Sequence, residues 1–163
     1  MNRRKFVINT GLGALGLYFS PSFVSCTNNN AINLNTVLGQ SHSILSSTNF
    51  MSKEGNKNFG YYQFDENNFT IEKYEGKQSF VFYKNLQIIG FTIQIGGNDF
   101  FSQNKEHLIK LMGEYNTNFK NEFGEELQWN KSGKLIKLSF NNYKDIPKLS
   151  FYSEFLENTE LIV

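Results

Sequence analysis

Residues 87–95 read Gln-Ile-Ile-Gly-Phe-Thr-Ile-Gln-Ile. Phe91, Ile93 and Ile95 fall on one side of an extended chain, Thr92 and Gln94 on the other. A period of two marks a β-strand with one buried face. Beyond Gly96-Gly97-Asn98-Asp99 the period changes. Leu108, Leu111, Met112, Tyr115, Phe119 and Phe123 recur at helical steps, which predicts a helix over about 103–122, capped by Ser102 and stopped by Gly124. Lys105, Lys110, Glu114 and Lys120 then fall mainly on its solvent side. Its apolar stripe would lie on the buried face of the strand.

Outward from this pair, hairpin signals recur. Strands at 59–65 and 69–75 flank Glu66-Asn67-Asn68, and a strand at 79–84 joins 87–95 through Asn85-Leu86. Strands at 126–130 and 134–140 flank Lys131-Ser132-Gly133, and 149–155 gives the last strand, with Leu149 and Phe151 inward. A short helix is predicted from Asn35, with Val37, Leu38, Ile44 and Leu45 on its apolar side. Residues 46–58 read as loop, and 160–163 could add a short final piece. The expected fold is α+β: an antiparallel sheet of about seven strands, the long helix on its apolar face and the short N-terminal helix, in the order α-β4-α-β3.

The first 26 residues have a different character. Arg3, Arg4 and Lys5 precede an apolar run over 7–19, diluted by Gly11, Gly13 and Gly16, and Pro21 follows. A basic start, a short apolar middle and a small-residue end describe an export signal. The run is shorter than the roughly 20 apolar residues a membrane span needs.

Arg3, Arg4, Phe6 and Val7 resemble the twin-arginine export signal, with Asn2 where that family often has Ser or Thr and Ile8 where it often has Lys. The resemblance implies a receptor-read address for a protein exported already folded. The competing reading is an ordinary secretory signal with a chance arginine pair. Phe23-Val24-Ser25-Cys26 is similar to a relaxed lipobox, with Phe23 in the usual Leu position. It implies lipid modification of Cys26, the only cysteine in the chain, and anchoring at a bilayer. The alternative is cleavage nearby, with Cys26 lost or left free. On this reading residues 1–26 are the signal, 27–34 (Thr-Asn-Asn-Asn-Ala-Ile-Asn-Leu) a flexible tether, and 35–163 a single domain.

The 137 residues after Cys26 suffice for one core without disulfides. Most of the 17 Phe and 8 Tyr lie there, so aromatic packing supplies the core. Losing Arg3, Arg4 and Lys5 takes the 16 basic residues to 13 against 15 acidic, a net −2. No basic stripe or nucleic-acid motif appears, so no nucleic-acid partner is expected.

Catalytic signals are sparse. His42 and His107 are far apart, and Glu106-His107, about 100° apart on a helix, cannot chelate together. Ser41-His42-Ser43 lacks a nucleophile elbow. Glu125-Glu126 and Asp65-Glu66 sit at hairpin ends, where solvated charge is the ordinary reading. Gly96-Gly97-Asn98-Asp99 lacks phosphate-loop spacing and carries Asp99 where an anion would sit. No catalytic, cofactor or metal residue is therefore assigned. Tyr61, Tyr74, Tyr83 and Tyr152 alternate with the inward set, together with Thr70, Thr92 and Gln94. They are the candidate partner-binding face, tyrosine being enriched at such surfaces; the alternative is that they stabilise cross-strand neighbours or lie beneath the first helix.

The doubled helix-then-strands order, with Leu38-Gly39 against Met112-Gly113, resembles repeat-built envelope lipoproteins and the β-lactamase inhibitor protein fold. The expected role is a lipid-anchored, non-catalytic binding module in the bacterial envelope, periplasmic or surface-facing. Its partner would be an envelope protein, in an inhibitor, immunity-type or assembly role. The alternative is a small exported enzyme or an accessory subunit of a redox complex.

Overall fold

A computed structural model describes residues 31–72, 74–144 and 147–157, with backbone alone at 98–99. The readings at Arg3, Arg4, Phe6 and Cys26, and at 160–163, lie outside those residues. In chain order the elements are β1 (Ile32–Asn33), a 3-10 turn (His42–Ser47), β2 (Ser52–Gly55), β3 (Phe59–Asp65), β4 (Phe69–Thr70), β5 (Gln78–Lys84) and β6 (Gln87–Gly96). There follow α1 (Asn98–Met112), β7 (Thr117–Asn121), β8 (Gly124–Lys131), β9 (Lys134–Asn141) and β10 (Ser150–Leu156).

Eight strands form one antiparallel sheet in the order β2-β3-β5-β6-β10-β9-β8-β7, and β1 pairs in parallel with β4. The molecule is therefore predominantly β, and the α+β expectation is corrected on three counts. First, the long helix is only Asn98–Met112. Gly113 turns the chain at φ +87°, and Thr117, Asn118 and Asn121, poor helix formers, enter β7 instead. The apolar periodicity that suggested one helix straddles this break, so Phe119 and Phe123 belong to a strand and its turn. Second, the N-terminal helix is absent. Leu34 donates its N–H to the Thr70 carbonyl at 2.9 Å and the Asn33 side chain accepts from the Asn35 N–H, committing this backbone to β4 and to turns. Third, β2 lies in the segment expected to be loop, while β4 is two residues long and stands outside the main sheet.

Two smaller corrections follow. Ile32 and Leu34 are buried, so the folded body begins inside the expected tether. In β10 the inward set is Ser150, Tyr152 and Glu154 rather than Leu149 and Phe151, because the register with β6 shifts at Ser150/Phe151.

The strand order is a palindrome about β6 and β10. Each half is a four-stranded meander, and the registers superpose. Tyr62, Val81 and Phe91 form one cross-strand row, and Leu127, Leu138 and Tyr152 form its counterpart. A pseudo-twofold relation thus passes through the Thr92–Ser153 pair at the centre. It places Tyr62-Gln63-Phe64-Asp65 opposite Leu127-Gln128-Trp129-Asn130, and Gly39 and Gly113 enter the two meanders at φ +83° and +87°.

One face of the sheet carries the core: Phe64, Val81, Phe91, Ile93, Leu127, Trp129, Leu138 and Tyr152, closed by Phe101 and Leu108 of α1 and by Leu34, Val37 and Leu45. Each large apolar side chain buried there contributes about 2 kcal/mol. Among the described residues no helix is long and apolar enough to cross a membrane.

Candidate partner-binding face

The four predicted tyrosines do not share a surface. Tyr74, Tyr83 and Tyr152 are buried on the core face. Tyr83 stacks on the His42 ring at 4.4 Å and donates its hydroxyl to the Asn56 carbonyl at 2.8 Å. Tyr74 packs on Tyr152 with ring centroids 4.4 Å apart and meets His107 edge-on. Burial first, then the Glu154 charge, pushes both phenols well above their ordinary range. Only Tyr61 lies on the opposite face. Strand phase alone could not separate these cases, because an amphipathic tyrosine suits either face.

The opposite face is built by the alternate residues of the same strands. Tyr61, Phe82, Gly90, Phe155 and Leu135 form one row across β3, β5, β6, β10 and β9. Gln63, Phe80, Thr92, Ser153, Lys137 and Gln128 form the next. Tyr61 touches Phe80 and Phe82 at centroid distances of 5.7 and 6.0 Å, and Phe82 meets Phe155 at 5.8 Å. Phe155 lies flat over Gly90, whose missing Cβ makes room for the ring. The result is a preformed platform of the part-exposed Tyr61, Phe80 and Phe82 rings backed by the buried Phe155 ring, flanked by the Thr92–Ser153 hydroxyl pair and the Lys137–Glu126 ion pair at 3.2 Å. The elements that close the core, α1 and the segment around Leu34 to Leu45, belong to the other side. Sequence reading missed Phe80, Phe82 and Phe155, although Ser79, Val81 and Tyr83 alternate with the first two.

The chemical candidates are placed apart. His42, half-buried, has Nδ1 3.3 Å from the Tyr62 hydroxyl, and Lys53 lies over the Tyr62 ring at 5.0 Å; hydrogen bonding to that hydroxyl raises the lysine pKa. His107 is exposed on α1. Ser41 uses its hydroxyl to accept from the Ser43 N–H. Glu125 binds Lys105 and Lys120 at 3.2 and 3.4 Å, and Asp65 accepts from Asn67 and Asn68. Gly96, at φ +124°, makes the turn into α1. Among the described residues no three His, Cys, Asp or Glu side chains gather as a metal site.

Compared with protein-family models, curated proteins and solved structures, the chain matches none.

Proposed function

We propose that this protein is an exported, lipid-anchored, non-catalytic module that binds an envelope protein through the open face of its sheet. The observation that carries the reading is the Tyr61–Phe80–Phe82–Phe155 platform on a face opposite the elements that close the core. Eight strands about 4.8 Å apart and some 20 Å long present roughly 700–800 Å², the area one partner gives to a standard protein interface. Rigid aromatic rings supply contact area at low entropic cost and dominate interface energetics. Such a wide, shallow surface suits another protein rather than a small substrate, which prefers a deep concave pocket.

Photocrosslinking in solubilised envelopes tests the partner. A defined adduct should form with the natural chain and be lost in Phe82→Glu, with circular dichroism unchanged; an adduct indifferent to Phe82→Glu and Tyr61→Glu would refute the face. The anchor is tested separately. Cys26→Ala should move the protein from the membrane to the soluble fraction, and continued partition with membrane would refute lipidation.

A further inference from the structure

The β7–β8 turn and the β9–β10 connection meet at one end of the sheet. Asn142 donates its N–H to the Phe123 carbonyl at 2.7 Å, and the Asn121 side chain accepts from the N–H groups of Phe123 and Gly124 at 2.9 and 3.1 Å. So held, the Phe123 and Tyr143 rings stack at 5.4 Å, yet each remains 49% exposed and Phe119 beside them 57%. With Phe151 they line a cleft of about 330 Å³. Exposed rings fixed by hydrogen bonds are a formed apolar surface that something outside the fold should cover.

The chain's point of entry says what. Ile32 pairs with Phe69 and donates to the Asn68 carbonyl. Gly76 packs between the Phe69 ring and the Gln94 carbonyl, and Gln94 lies directly across from Phe151. The polypeptide therefore enters the fold at the same end of the central strands where Phe151 opens the cleft. From Cys26 to Ala31 is five residue steps, at most about 18 Å when fully extended. A lipid on Cys26 would hold this end of the sheet against the bilayer. Charge at this end is mixed, since Glu125 and Glu126 line the cleft and pair with Lys120 and Lys137, so the rings rather than charge carry the contact.

We propose that the Phe119–Phe123–Tyr143 tip is a second, non-covalent membrane contact, seated among the headgroups of the bilayer. Aromatic rings favour that interfacial zone. The inference rests on the anchor reading of Cys26 and adds an orientation: the strands stand upright, and the open face looks sideways along the membrane.

The test uses the full lipidated chain in vesicles of phosphatidylethanolamine and phosphatidylglycerol, with tryptophan introduced as Phe123→Trp or, at the far end of the sheet, Leu86→Trp; buried Trp129 is a common background. Sedimentation reads the anchor, and quenching by doxyl-labelled lipid reads the tip. Quenching at position 123 about threefold or more above that at 86, with blue-shifted emission, is expected. Sedimentation with equal quenching at both positions would overturn the tip contact, leaving the anchor intact and pointing to a protein as the occupant. Failure to sediment would overturn the anchor and the tip contact with it.

Discussion

Thr92 Oγ1 and Ser153 Oγ lie 2.9 Å apart at the midpoint of the eight-stranded sheet, one on the last strand of each meander. Their pairing joins two halves whose registers are otherwise related by the pseudo-twofold relation. Here the sheet has no turn to set its register, so side chains on β6 and β10 must do so. Thr92→Val and Ser153→Ala should each cost about 1 kcal/mol in urea unfolding. The double variant should cost less than the sum, a coupling of about 0.5 kcal/mol or more. Strict additivity would show that the hydroxyl pair does not couple the halves.

A partly buried ion pair lies on the core side, within the second meander. Glu154, 2% exposed, accepts from the Tyr152 hydroxyl at 2.6 Å and from Lys134 at 2.8 Å. Lys134→Met would leave that carboxylate short of its cation. The expected loss is about 2 kcal/mol, below the figure for a wholly buried pair because a third of Lys134 is in water. Adding Glu154→Gln should restore part of it. Equal stabilities of the natural protein and Lys134→Met would mean the pair contributes nothing.

Tyr74 offers a test by pH. Its buried hydroxyl has no hydrogen-bond partner among the described residues, so Tyr74→Phe should stabilise the protein at pH 7 by about 1 kcal/mol. The phenols of Tyr74 and Tyr152 titrate above the unfolded value of 10.0. Stability from this source is whole below pH 10 and falls as pH rises above it, by up to about 1.4 kcal/mol per pH unit for each phenol. Denaturant midpoints measured at rising pH should fall less steeply in Tyr74→Phe; identical slopes would rule out Tyr74 as a cause.

Gly90 holds the platform open. A methyl group there would fall inside the Phe155 ring, so Gly90→Ala should cost about 2–3 kcal/mol by overpacking. Phe155→Leu in the same chain should recover part of that stability without restoring partner binding. A thermal midpoint unaltered by Gly90→Ala would mean the ring can move aside.

Short-range pattern fixed much of this protein before any tertiary contact. Phe59–Asp65 was legible to the residue because the turn signal Glu66-Asn67-Asn68 marks where it ends. The turn at Asn85-Leu86 followed from the same logic, and both residues take positive φ. The proposed export and lipid signals at Arg3, Arg4, Phe6 and Cys26 rest likewise on local order alone. What local pattern could not supply was competition between distant segments. Residues 114–122 carry helical spacing, yet β8 offers the Thr117–Asn121 backbone a full ladder while Gly113 breaks the helix; Ile32 and Leu34 look like tether until Phe69 and Thr70 receive them. The division of tyrosines between core and open face was also decided only in three dimensions. A strand's two sides are chemically alike for an amphipathic ring, and burial depends on which side α1 and the N-terminal segment come to cover.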